Sequence, residues 1–296
     1  MSRGTLWSTT TPATDDAVAT PRPRRRKPID RGHVVSYLLL IGLGAIYLGP
    51  MLMLLNTALK TQPGFAKEPV GVTSSFSIEN FAEAWDKADF PRYMTNSVLY
   101  AGVATLLYLI AAVPLATAIS RRYVRGWNLL YILFVVALFL PVALIPQFQL
   151  ILNLHLYNTQ PGYILLFLAN PIGILILVAF IRSIPRELDE AVAIDGCGYI
   201  RYVWRIIVPL TKPAIATVAI LHAIGIWNEL VLPTIYLTRE AYYPMTRGLI
   251  VFTGIYGNDW PLLASAVLIL ALPMVVLFLF LQRYIIGGFT SGSLRG

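Results

Sequence analysis

Six long apolar stretches alternate with polar connections along the chain, at residues 34–59, 96–119, 127–148, 162–181, 214–237 and 261–281. A helix rising about 1.5 Å per residue crosses ~30 Å of hydrocarbon in about 20 residues, and each stretch is long enough to do so. The pattern predicts an all-α membrane protein with six transmembrane helices. Pro171 should kink the fourth span, and Pro273 lies within the sixth. Gly42, Gly44 and Gly49 suit close packing of the first. Ser77 is placed to cap a short helix over 78–85.

The connections divide the chain further. Residues 1–33 are rich in Thr, Ala, Pro and Arg, end in an Arg-Pro-Arg-Arg-Arg-Lys run, and read as a disordered basic tail. The apolar run behind that tail is far longer than the roughly 7–15 residues of a secretion signal, so it reads as an uncleaved first span. A six-span body then covers residues 34–281, and residues 282–296 form a short polar C-terminal tail.

One connection stands apart. Residues 182–213 carry acids, glycines and basic residues between spans four and five. Pro185 and the helix formers from Arg186 to Ile194 predict one short helix. Gly196 and Gly198 allow a sharp turn around Cys197, and Tyr199 to Val208 predict a second helix whose continuation Pro209 discourages. Ala191, Ile194, Ile206 and Val208 are the positions expected to pack down, with Glu190 and Asp195 facing something basic. An interfacial loop of amphipathic helices fits the same pattern.

Composition strengthens the membrane reading. Only 13% of residues are charged, against about 25% in soluble domains. The net charge of +8 comes from cations placed between apolar blocks, which is a topology signal and not a nucleic-acid surface. Of the 23 lysines and arginines, 17 fall in the N-tail, the 121–126 turn (Arg121, Arg122, Arg125), the 182–213 elbow and the C-tail. The positive-inside rule therefore puts both termini and the elbow in the cytoplasm. A single cysteine excludes an internal disulfide, and His33, His155 and His222 have no metal-ligand spacing.

Inside the spans one acid stands out. Glu229 is the only carboxylate within any apolar stretch, and an intramembrane acid should face the bundle interior or water. His222, Gly225 and Glu229 recur at helical spacing, with Asn228 beside them. Two readings stay open: a polar stripe lining a translocation path, or a structural acid hydrogen-bonded between helices. In the connection 238–260, Tyr242, Tyr243, Tyr256 and Trp260 suit either stacking on a ligand ring or a membrane interface.

Glu190-Ala191, Gly196 five residues on, then Ile206 and Pro209, resembles the EAA loop of ABC importer permeases. The spacing agrees at every position; Val192 and Val208 replace the family's alanine and leucine. Trp227-Asn228-Glu229 with Pro233, and the tail from Gln282 to Gly296, are similar to carbohydrate importer permeases of the MalG type. The resemblance covers residues 34–296. It implies a coupling helix, with Glu190, Ala191, Asp195, Gly196, Cys197, Ile206 and Pro209 as the docking segment for a cytoplasmic ABC ATPase. It further implies two ATPase copies that carry ATP and Mg, a second homologous but non-identical permease, and an extracytoplasmic solute-binding protein. The chain itself would bind no cofactor and do no chemistry, and it would reside in a bacterial cell membrane.

Alternatives are an importer of another polar solute such as glycerol phosphate, a secondary transporter, or a membrane enzyme. A secondary transporter usually shows matched broken-helix repeats, which this sequence lacks. A membrane enzyme needs clustered polar residues at one depth. No G-x-x-x-x-G-K-[ST] loop is present, so an ATPase has to be another chain.

Overall fold

A computed structural model of the protein describes residues 31–72, 76–194, 196–252 and 259–293; the expected N-tail up to residue 30, Asp195 and Tyr256 lie outside them. All regular structure among the described residues is helical. In order the elements are α1 (Arg31–Ala58), α2 (Gln62–Lys67), α3 (Glu79–Lys87), α4 (Phe90–Arg121), α5 (Trp127–Ala137) and α6 (Leu144–Asn153). There follow α7 (Gln160–Leu165) with a 3-10 turn to Leu168, α8 (Pro171–Arg182), α9 (Glu187–Ile194), α10 (Tyr199–Tyr202), a π turn (Val203–Ile207) and α11 (Val208–Leu210). The chain ends with α12 (Lys212–Trp227), α13 (Val231–Tyr236), α14 (Met245–Gly248) and α15 (Trp260–Ser293).

Three helices, α1, α4 and α15, are long and apolar enough to cross a membrane, and the number rises to five if each of two bent pairs is one span. This differs from six continuous spans, for reasons visible in the chain. The third stretch breaks after Ala137 and resumes at Leu144. Pro141 sits in the gap, where it has no N–H to donate and its ring would strike the carbonyl four residues back. The fourth stretch bends by 46° between the 3-10 turn and α8. Pro171 opens α8 behind an Asn170 cap, whose Oδ1 accepts from Ile172 N at 3.1 Å. The fifth stretch stops at Trp227, three residues before α13 begins to form. Residues 282–293 continue α15 instead of leaving the helix as a tail.

Residues 1–49 and 50–296 form separate compact units. The described part of the first is the opening of α1, an apolar helix with Leu38, Leu39, Ile41 and Ile46 exposed. The second is built on α4. Its Ala104, Ala112 and Ala116 are buried, and small side chains let helices approach closely, so α8 and α12 pack against it. Gly173 of α8 sits at this contact. A Cβ there would strike the Tyr108 hydroxyl and come within 2.8 Å of Val218 Cγ1. The Tyr108 hydroxyl in turn donates to the Asn170 carbonyl at 2.7 Å, tying α4 to the start of α8.

The 60–95 connection also folds tightly. Asn80 Nδ2 donates to the Ala58 and Lys60 carbonyls at 2.7 and 2.8 Å, satisfying carbonyls left open by the end of α1. The α3 N-cap is Ile78 with no side-chain bond, so Ser77 does not cap it. Its backbone N–H donates instead to the Leu59 carbonyl.

Candidate functional site

The elbow is assembled on the C-terminal end of α4. Arg121, the last residue of that helix, has only 3% of its side chain exposed. Its Nη1 and Nη2 donate to the Ile184 carbonyl at 3.1 and 3.2 Å. Its Nε lies 3.1 Å from Asp189 Oδ2, in an ion pair. Asp189 Oδ1 accepts from the Tyr202 hydroxyl. One cation thus ties α4 to the chain leaving α8, and one carboxylate ties α9 to α10. Burial pushes the Tyr202 phenol above its ordinary value, and the bond to Asp189 pushes further the same way.

Aromatic packing completes the joint. Tyr199 donates to the Pro114 carbonyl at 2.6 Å. Tyr123 meets Tyr199 and Tyr202 edge-on, with centroids 5.8 and 6.3 Å apart. Tyr202, Val203 and Ile207 are buried in one cluster with Val113, Ala116 and Ile119 of α4 and Ile181 of α8. Val192, Cys197, Ile206 and Val208 lean on that cluster from its rim. On sequence alone Arg121 counts as a topology charge, and neither Asp189 nor Tyr202 stands out. The available signal was a cation at the very end of a long apolar helix, together with three acids in the first turn of α9.

The turn between α9 and α10 follows from one backbone angle. Gly196 has φ +63°, in the left-handed region that glycine enters without a steric penalty, and open space surrounds it. The Cys197 N–H reaches back to the Val192 carbonyl at 3.3 Å, closing α9 with a Schellman-type cap. Pro209 does not end its helix but stands inside it: the π turn precedes it, with the Val208 N–H bonded to the Val203 carbonyl. That wider turn absorbs the bond Pro209 cannot make. The chain then turns by 84° into α12.

The outward side of the elbow has no partner among the described residues. Glu190 is exposed, and among the described residues no cation pairs with it. Ile194, expected to pack down, is instead 87% exposed. It sits one residue before the segment that reverses the chain, where α9 has already run past the core. Ile200, Trp204 and Leu188 are exposed as well. The side chain of Ala191 and the whole of Asp195 lie outside what the structure describes.

The candidate path residues separate. His222 is buried, at 4% exposure, and stacks on Tyr108 with centroids 4.4 Å apart. Its Nε2 lies 2.9 Å from the Phe167 carbonyl and its Nδ1 3.1 Å from Thr105 Oγ1. The carbonyl only accepts, so Nε2 carries the proton and, in the neutral ring, Nδ1 accepts from Thr105. Gly225 and Asn228 are exposed. Glu229 is half-buried and has left the helix: its Oε1 accepts from Val231 N and Leu232 N at 2.8 and 3.1 Å, which caps α13. Its own carbonyl accepts from Thr246 Oγ1 at 2.6 Å. His222 therefore does not share a continuous face with Glu229, because the helix ends between them.

The 238–260 connection is anchored to α4. Asn96 Nδ2 donates to the Ala241 and Tyr243 carbonyls at 2.9 and 3.0 Å, and the Tyr100 hydroxyl to the Tyr242 carbonyl at 2.8 Å. Tyr242 and Tyr243 are half-buried packing residues, and Trp260 is exposed. Among the described residues no group of three or more His, Cys, Asp or Glu side chains could hold a metal ion.

Comparison with known proteins gives a consistent set of relatives. Residues 88–288 match the family described as binding-protein-dependent transport system inner membrane component. The chain is 30% identical over 267 residues to the diacetylchitobiose uptake system permease protein NgcG of Streptomyces coelicolor, covering 88% of each. It is 31% identical over 252 residues to the melibiose/raffinose/stachyose import permease protein MelC of Bacillus subtilis, covering 83% of this chain and 91% of that one. Among solved structures, it is similar to a bacterial ABC transporter involved in the import of the acidic polysaccharide alginate, with TM-score 0.78 at 20% identity over 88% of this chain and 99% of that chain. At that identity the likeness concerns the fold.

Proposed function

Because the chain belongs to the family of binding-protein-dependent transport system inner membrane components, we propose that it is the translocating subunit of an ATP-driven sugar importer. Its family is one of transporter permeases and not of enzymes. The observation that carries the mechanism is the elbow: its inner side is locked to α4 by Arg121, Asp189 and Tyr202, while Glu190 and Ile194 project from its outer side without a partner among the described residues. A segment held rigidly on one side and free on the other transmits a push into the helices behind it. Here the push would come from a cytoplasmic ATPase, whose closure on ATP moves the elbow and with it α8 and α12, in a rigid-body transition between inward- and outward-facing states.

The rest of the assembly follows the same reading. Two ATPase copies carry ATP and Mg, a second permease completes the path, and a solute-binding protein delivers the sugar from outside. The bent pair of α7 and α8 acts as span four and α12 as span five, and the broken third stretch completes six crossings with both termini and the elbow in the cytoplasm. The sugar class rests on the oligosaccharide importers to which the chain is similar.

The test is charge reversal at an exposed elbow position. Glu190→Lys should leave thermal stability of the purified chain unchanged, because Glu190 is exposed and no described residue pairs with it. In proteoliposomes containing the full complex it should cut ATP-dependent sugar uptake by tenfold or more, since a misplaced charge at an interface costs several kcal/mol. Wild-type uptake by Glu190→Lys would sink the coupling role, and uptake independent of ATP would sink the importer class.

A further inference from the structure

A cavity of about 340 Å³ opens where α4 and α8 end and α5 begins, lined by four arginines with two aromatic rings. Arg121 is already committed to Asp189 and the Ile184 carbonyl. The other three are not: among the described residues no carboxylate pairs with Arg122, Arg182 or Arg186. Two of them are fixed in place nonetheless. Arg122 lies over the Trp127 ring at 4.5 Å and Arg182 over the Tyr131 ring at 4.4 Å. Trp127 and Tyr131 are one helical turn apart on α5, so the two guanidinium groups are held along the same side of that helix. Stacking occupies the flat faces of the guanidinium groups and leaves their N–H edges free to donate in the plane.

A second observation points to a ligand. Ser120, 3% exposed, lines the same cavity, and its hydroxyl has no hydrogen-bond partner. Buried hydroxyls are normally satisfied, and one left open beside three unpaired cations marks a place for an acceptor. On the same helix Ile132 and Val136 continue the row of the cavity-lining Asn128 at i+4 and i+8 and are exposed, with Leu129 and Leu133 beside them, so an apolar stripe of α5 begins at the rim of the cavity.

We propose that this cavity binds the phosphate head group of an anionic phospholipid, with its acyl chains along the exposed stripe of α5. Arg122, Arg182 and Arg186 supply planar donors for phosphate oxygens. Trp127 and Tyr131 belong to the aromatic residues that settle at the head-group level. A free phosphate would satisfy the arginines equally but would leave the apolar stripe without a role. Basic cavities between membrane helices are suited to such head groups. The site is independent of sugar specificity and of elbow docking. The lipid would hold together the ends of α4 and α8 and the start of α5, and of these α8 is a helix the elbow moves.

The experiment uses the complete transporter purified from vesicles of phosphatidylcholine with 20% phosphatidylglycerol, the amount chosen on the order of a bacterial anionic fraction. Retained lipid is counted by native mass spectrometry. The double variant R122Q/R182Q should lower phosphatidylglycerol retention about 25-fold, at about fivefold per cation lost near an anionic surface. R122K/R182K, which keeps the charge without the planar fork, should fall between it and the wild type. R125Q removes a charge from the same turn outside the cavity and should retain lipid normally. Equal retention by wild type and R122Q/R182Q overturns the proposal. Full displacement of the lipid by millimolar inorganic phosphate overturns it in favour of a soluble anion. Cross-linking of Asn128→Cys to another subunit at full yield overturns it in favour of a protein occupant.

Discussion

Removing the Asp189 carboxylate tests whether the elbow is a rigid extension of α4. In Asp189→Ala the Arg121 guanidinium keeps its two bonds to the Ile184 carbonyl but loses the one counter-charge it has among the described residues, with only 3% of its side chain exposed in the wild type. Breaking one partner out of a buried ion pair costs about 3–5 kcal/mol. Asp189 itself is 16% exposed, so water can partly replace it, and the cost belongs at about 3 kcal/mol, the lower end of that range. The Tyr202 hydroxyl loses its acceptor at the same time, adding about 1 kcal/mol if water reaches it. The variant should therefore open the elbow locally without unfolding the membrane helices. Hydrogen exchange in the full complex should rise across 184–202, and ATP hydrolysis should continue while sugar uptake falls. The double variant R121M/D189L removes the orphaned charge and should recover at least half of the lost protection. If exchange in Asp189→Ala matches the wild type, or if R121M/D189L is worse than the single variant, the pin does not hold the elbow.

Three further outcomes follow from the geometry. Gly173→Ala should destabilise the contact of α8 with α4 by about 1–3 kcal/mol, because its methyl group meets Tyr108 and Val218; adding Tyr108→Phe should recover part of the loss, and unfolding in detergent measures both. Glu229→Ala should cost about 1 kcal/mol by removing the cap of α13, whereas Glu229→Gln keeps the accepting oxygen and should not; altered uptake kinetics in a fully stable Glu229→Gln would assign this residue to the translocation path. The Tyr202 phenol has a raised pKa in the fold, so its contribution to stability is present below about pH 10 and fades as pH rises past that value; the alkaline fall in Tm should be shallower in Tyr202→Phe than in the wild type.

The helical class and the polar elbow were legible because both depend on local pattern. Long apolar runs in a chain with 13% charge have few alternatives to membrane helices, and a glycine pair between two helix-forming segments leaves little choice but a turn. The breaks within the runs were harder to place. Proline tells where a helix bond is lost but not how the chain responds: Pro114 and Pro273 lie inside continuous helices, Pro171 begins one behind an asparagine cap, and Pro209 is accommodated by a π turn. Each outcome depends on what packs alongside. Pro114 keeps a helix on both sides and lends its carbonyl to Tyr199, whereas Pro141 lies in an exposed stretch between Phe139 and Val142 with nothing to hold a kinked helix together.

The candidate site shows the same division between what is local and what is distant. Gly196 was readable, since its conformation is a property of one residue and the cap around it. The pin was not, since Arg121, Asp189 and Tyr202 are separated by up to 81 positions and only the packing of α4 against α8 brings them together. His222 and Glu229 mark the opposite failure. Their helical spacing implied a shared face, but the spacing rule holds only while the helix continues, and α12 ends at Trp227. A carboxylate seven residues on then serves the backbone it can reach, the first N–H groups of α13, which are the donors a helix start leaves unsatisfied. An acid within an apolar run thus has two outlets, a water-filled path or a broken helix whose N–H groups need an acceptor, and Glu229 at such a break has its Oε1 already engaged by two N–H groups before any sugar arrives.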